Sequence, residues 1–144
     1  MQIQMELILS LFALLRNLLS KMELKYFKRS EFDCKCGCGG TIVSDKLLQL
    51  LDDAREFAKI PFVITSGYRC QKHHDDLTSR GYHTAKTSAH LKGLAVDIKC
   101  SDSKSRAIIL DALGYVGFKR FGVAKSFIHT DIDSDKPSPV MWLY

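Results

Sequence analysis

The chain has 144 residues, 46% hydrophobic, 26% charged and 10% aromatic, which excludes a disordered tail and fits one domain able to bury its own core. A net charge of +5 favours encounter with polyanions such as nucleic acid, anionic lipid or cell-wall polymer. The basic residues are spread along the chain and form no dense block interleaved with aromatics, so no nucleic-acid partner is expected. Five cysteines cannot all pair within one chain: either one thiol is free or the protein folds with reduced thiols in a cytosol.

Residues 1–21 carry an apolar run from Leu7 to Leu15, followed by Arg16. The run falls short of the roughly 20 apolar residues of a membrane span. It lacks a preceding Lys or Arg and a following small-x-small cleavage site, which argues against a signal peptide. Ile3, Leu7, Leu11, Leu14 and Leu18 share one helical stripe. The expectation is an amphipathic helix outside the main fold, docking on the domain, a partner or a membrane surface. Met22 offers a second start, which would make residues 1–21 an appendage to a domain spanning 22–144.

Ser30 and Glu31 suit the cap of a single helical turn. Cys34, Cys36 and Cys38 with Gly37, Gly39 and Gly40 then form a tight loop poor in side chains. The Cys-x-Cys-x-Cys run invites a metal reading, but a zinc knuckle needs a second ligand pair, missing unless Cys70 and Cys100 supply it. A structural loop, with or without a disulfide, is the expectation. Ser44 to Ile60 reads as a helix, with Ser44 as N-cap and Asp45 complementing the dipole. Leu47, Leu48, Leu51, Ala54, Phe57 and Ala58 face in, Asp52, Asp53, Arg55 and Glu56 face out, and Pro61 ends it. Phe62 to Thr65 reads as a short buried strand, leading to the turn Ser66-Gly67-Tyr68-Arg69. Residues 71–87 are polar and aperiodic, hence a long loop with at most one helical turn; His73, His74 and His83 read as solvated.

Leu94 to Lys99 alternates, with Leu94, Val96 and Ile98 on one face and Ala95, Asp97 and Lys99 on the other. Asp102 to Leu113 is a helix burying Ala107, Ile108, Leu110, Ala112 and Leu113, with Gly114 near its end. Residues 117–123 suggest a glycine-broken strand. Phe127 to Ile132 alternates again, Ile128 and Ile132 opposing Phe127, His129 and Asp131 with Asp133 beyond. The apolar tail from Met141 to Tyr144 should pack back onto the domain.

Pairing the two alternating strands puts Val96, Ile98, Ile128 and Ile132 in one core face and leaves Asp97 and His129 together on the other. His90, ahead of Gly93, sits where a turn folds its imidazole over the strand. Two histidines and one aspartate suit Zn2+, which in catalytic sites takes three protein ligands and keeps a fourth position open. The same spacing fits a plain Asp97–His129 hydrogen bond with His90 capping a turn, and spacing alone does not separate the two.

Four segments resemble one family. Ser88-x-His90-x2-Gly93-x-Ala95-x-Asp97 resembles the SxHxxGxAxD signature of the M15-type zinc D-Ala-D-Ala peptidases, and Phe127-Ile128-His129-Thr130-Asp131 is similar to the later histidine segment of their phage and bacterial subgroup. Ser66 to Arg69 is similar to the family's SGYR turn, and Phe32-x-Cys34-x-Cys36-Gly37-Cys38 to the subgroup's opening. The resemblance runs from about Tyr26 to Trp142.

It implies a compact α+β domain with a central antiparallel sheet carrying the zinc site and helices on the other face. It also implies hydrolysis of peptide bonds in peptidoglycan stem peptides by a monomer, with His90, Asp97 and His129 holding Zn2+ and Arg69 binding a substrate carboxylate or the scissile carbonyl oxygen. D-Ala-D-Ala carboxypeptidase and L,D-endopeptidase activity fit equally, as does a phage endolysin made in the host cytoplasm and released to the cell wall during lysis. Some relatives use an acidic residue three positions before the last zinc histidine as general base. That position is Ser126 here, so Asp131 is the nearest substitute, as base or as the group that orients a ligand. After Arg69 the family often has asparagine where this chain has His74. The alternative from another functional class is an inactive zinc domain that binds cell-wall peptide or a protein partner.

Overall fold

The computed structural model describes residues 4–8, 10–11 and 23–144. Residues 4–8 and 10–11 are helical and exposed; the rest of the stretch 1–21, and with it most of the expected amphipathic stripe, lies outside the described residues. Among the described residues no helix is long and apolar enough to cross a membrane.

A 3-10 turn at Arg29–Phe32 opens the domain, capped by Glu31, which accepts from the Lys28 N–H at 2.8 Å. Helix α1 spans Asp45–Ala58. Ser44 caps it by accepting from the Leu47 N–H, and it closes on Lys59 in the left-handed region, two residues ahead of Pro61. Strand β1 is Ile64–Ser66, and helix α2 is Gln71–Ser79. A second 3-10 turn, Ala89–Lys92, leads into β2 at Ala95–Lys99. Helix α3 covers Ser103–Val116, capped by Asp102 and ended at Gly117 rather than near Gly114. Strands β3 (Arg120–Val123), β4 (Phe127–Asp131) and β5 (Val140–Leu143) complete the domain.

The five strands order as β1-β2-β4-β3-β5. The first four pair antiparallel, and β5 runs parallel to β3. The expected antiparallel sheet is therefore mixed at one edge. The reason is connectivity: after β4 the chain reverses and passes over β3 to its free edge, so a strand antiparallel to β4 ends up parallel to β3.

One face of the sheet is the core floor. Val96, Ile98 and Ile128 lie fully buried beneath Leu47, Leu48, Leu51 and Ala54 of α1 and Ile109, Ala112 and Leu113 of α3. Burying each large aliphatic side chain contributes about 1.5–3 kcal/mol, so this contact between the sheet and the two helices is the main source of stability. Ile132 packs at its margin.

Local expectations fail where tertiary contacts override periodicity. Asp52, expected outward, is buried and accepts from the N–H groups of Lys25 and Tyr26 at 2.9 and 2.8 Å, tying the incoming chain to α1. Phe57, expected inward, is exposed and stacks on Tyr115 of α3. In α3, Ala112 and Leu113 are buried as expected and Leu110 packs against the core, but in the first half Ile109 is buried while Ala107 is exposed. Residues 71–79, expected as loop, form α2, with Cys70 accepting from the His73 N–H as an unusual N-cap; His74 is its buried residue, and the weak apolar face hid the helix from a periodicity reading.

Candidate metal centre and cleft

Asp97 and His129 are direct cross-strand partners in the β2–β4 ladder, on the face opposite the core. The 3-10 turn before β2 brings in His90. Ser88 starts that turn by accepting from the His90 N–H at 3.3 Å. Gly93 ends it at φ 67, with its backbone packed so tightly on Ile42 that a Cβ there would lie 2.1 Å from the Ile42 carbonyl oxygen. Only glycine fits on both counts. Lys92 fastens the turn from outside through both oxygens of buried Asp133 and one of Asp135, each at 3.0 Å.

The second nitrogen of each ring is already committed. His90 Nδ1–H donates to the Gly67 carbonyl at 2.7 Å, which leaves Nε2 as the lone-pair nitrogen, 3.3 Å from Asp97 Oδ1. His129 Nε2 lies 2.9 Å from Asp131 Oδ2 and donates to it, so Nδ1 faces Asp97 Oδ1 at 3.0 Å. Two imidazole lone pairs and a carboxylate oxygen thus converge on one point. Such convergence is repulsive unless a positive charge, a proton or a metal ion, sits among them. The ligand atoms of His90, Asp97 and His129 lie within 4.8 Å of one another and could hold a metal ion. The donor set fits zinc, and the outer hydrogen bonds are of the kind that fix a ligand's tautomer and orientation.

Electrostatics agree with this geometry. Burial works against charge on His129, but hydrogen bonds to the Asp131 and Asp97 carboxylates outweigh it and raise its pKa. Burial also works against ionising Asp97, yet His90 and His129 hold its carboxyl well below the ordinary range. Asp131 is pushed down despite burial by its bonds with His129 and Arg120.

Asp131 sits where the sequence predicts, on the face of His129, but both of its oxygens are occupied. Oδ2 takes His129; Oδ1 takes the Arg120 Nε–H at 2.7 Å and the Asp133 N–H at 3.1 Å. Arg120, which the sequence reading did not single out, thus joins the lining of the cleft. Its signal was faint, since it stands in a glycine-broken strand whose neighbours could not be assigned without β5.

The centre forms the floor of a cleft of about 650 Å³. Arg69 stands on one wall, its backbone N–H donating to the His90 carbonyl at 3.1 Å and its Nη2 to Ser66 Oγ at 3.3 Å. Its Nε is buried with no hydrogen-bond partner among the described residues. His83 and Tyr82 line the cleft from the loop after α2, whereas His74 is buried on α2. The opposite wall is Trp142 and Tyr144. Trp142 lies 5.4 Å from the His129 ring and the same distance from the Arg120 guanidinium. A Cβ on Gly122 would come within 2.7 Å of both aromatic rings, so the bare strand lets the tail close over the sheet. Among the residues lining the cleft, Asp97 and Asp131 are the acids.

The cysteine loop departs from expectation. Cys70 joins Cys34, Cys36 and Cys38 in one cluster, while Cys100 is buried elsewhere, against the Asp102 carbonyl.

Residues 25–133 match the family model of peptidase M15, and the chain belongs to that family. No curated protein matches the chain.

Proposed function

We infer that the chain is a zinc-dependent peptidase acting on the stem peptides of peptidoglycan, as a monomeric lytic enzyme of the phage endolysin type. The observation that carries this reading is the convergence of His90 Nε2, Asp97 Oδ1 and His129 Nδ1 on one point, with the far side of each ring locked by a hydrogen bond. These three residues would hold zinc, which when bound supplies a Lewis acid that polarises a carbonyl and makes water an accessible nucleophile near neutral pH.

The chain's own groups do the rest. Arg69, with an unpartnered buried Nε, presents guanidinium donors to a substrate carboxylate or to the carbonyl oxygen where negative charge develops. Asp131 orients His129 and holds a proton on its Nε2; its occupied oxygens favour this role over that of proton acceptor. Trp142 and Tyr144 offer flat apolar surface to the peptide and shield the floor from water. The positive net charge suits an anionic wall polymer.

The occupied state of Asp131 also favours a second reading, a zinc-holding domain that binds wall peptide without cutting it. Metal content and release of wall fragments, measured on wild type and His129→Ala, separate the two. Peptide release by wild type that is lost with the metal in His129→Ala supports the hydrolase. Bound zinc with no fragment from any peptidoglycan chemotype favours the binding domain.

A further inference from the structure

The cysteine cluster has no part in the cleft chemistry. Cys34, Cys36 and Cys38 come from one short loop and Cys70 from the N-cap of α2, yet their sulfur atoms lie within 4.8 Å of one another. Cys34 Sγ is 3.4 Å from Cys36 Sγ, which is 3.6 Å from Cys70 Sγ. Tetrahedral zinc with sulfur at about 2.3 Å separates its ligands by about 3.8 Å, which is this spacing.

Hydrophobic packing does not account for the arrangement. Cys36 and Cys38 are exposed, and the loop's other residues are Lys35 and glycines. Gly37 and Gly39 adopt φ of 79 and 73, the left-handed turns that let alternate residues of so short a loop point their side chains the same way.

Backbone donors surround the sulfurs. The Cys70 N–H donates to Cys34 Sγ at 3.3 Å, the Gly40 N–H to Cys38 Sγ at 3.3 Å and the His73 N–H to Cys70 Sγ at 3.4 Å. Such contacts orient the sulfur atoms toward one another and would offset part of the charge of a metal-bound thiolate set.

We propose that Cys34, Cys36, Cys38 and Cys70 bind one structural zinc ion as four thiolates. Four protein ligands leave no open position, so this ion is structural rather than catalytic. Its effect on the cleft runs through the chain: Cys70 follows Arg69 directly, and the Tyr68 N–H already donates to the Phe32 carbonyl at 2.8 Å. The metal staples the loop to the turn that presents Arg69.

The test is cobalt substitution of the full chain, purified under reducing conditions. Thiolate-to-cobalt charge-transfer absorption arises only from sulfur ligands, so it reports this site whatever the His90–Asp97–His129 centre holds. The expected result is a charge-transfer band saturating at one equivalent, retained in His129→Ala and reduced by about a quarter or more in Cys38→Ser, which leaves three of the four thiolates. On the zinc form, chelation should render four thiols newly reactive to a thiol reagent. A reduced wild-type chain that gives no charge-transfer band overturns the proposal, as does a mass showing these cysteines oxidised in protein isolated anaerobically from cytosol. Both of those readouts use wild type, so the proposal stands or falls even if Cys38→Ser does not fold.

Discussion

His129 is gripped at both ends of its ring, by Asp131 at Nε2 and by Asp97 at Nδ1, and the roles proposed for those carboxylates differ in what their removal does. Asp131→Asn keeps the shape and loses the strong acceptor, so zinc affinity should fall about 10–100-fold while excess zinc restores much of the activity. If Asp131 were instead the proton acceptor, activity would vanish with affinity unchanged; a zinc titration beside a wall-lysis assay separates the two. Arg69→Lys keeps the charge but loses the planar fork. It should lower kcat/KM about a hundredfold in steady-state kinetics, within the range for removing a transition-state donor.

The pH behaviour follows from the signs. His129, raised on folding, stabilises the metal-free protein fully below its unfolded value of about 6.5, and that stability is lost as pH rises through the folded value. Asp97 and Asp131, lowered on folding, stabilise above their unfolded value of about 3.9 and lose this as pH falls through their folded values. The metal-free chain should therefore be most stable between about pH 4 and 6.5 with respect to these groups. Zinc replaces the proton and should remove the decline above that window, which thermal melts at several pH values with and without zinc would show.

At the scale of elements, the turn Ala89–Lys92 is held by Gly93 beneath and the Lys92–Asp133 pair outside. Gly93→Ala must leave the left-handed region or strike the Ile42 carbonyl. A loss of more than about 2 kcal/mol in denaturant unfolding is expected, with zinc affinity reduced because His90 rides on that turn. Asp52 plays the corresponding role for the chain entering α1. Asp52→Ala strands the N–H groups of Lys25 and Tyr26 and should cost about 1–3 kcal/mol in the same assay, with the metal centre unaffected.

At the scale of the molecule, α1 and α3 on one face of the sheet supply the stability that the polar face does not. Leu48→Ala, fully buried between them, should cost about 2–5 kcal/mol. Metal adds to this by mass action: zinc at a hundred times its Kd contributes about 2.7 kcal/mol per site. A chelator should accordingly lower Tm by roughly 5–10 °C for each site emptied.

Strand alternation is a local property, so Val96, Ile98 and Ile128 as core, with Asp97 and His129 on the opposite faces of their own strands, were legible from period two, and Asp97 beside His129 followed once the two strands were paired. The roles proposed for His90, Asp97, His129 and Arg69 were suggested by the resemblance of their motifs to one family, since spacing alone left a plain Asp97–His129 hydrogen bond equally open. Tertiary structure alone decided the burial of Asp52, the helix at Gln71–Ser79, the Arg120–Asp131 pair, the aromatic wall of Trp142 and Tyr144, and Cys70 rather than Cys100 beside the cysteine loop. Each of these depends on contacts between segments distant in the chain, and no local period encodes which distant partner will neutralise a charge, satisfy a backbone donor or complete a set of ligands.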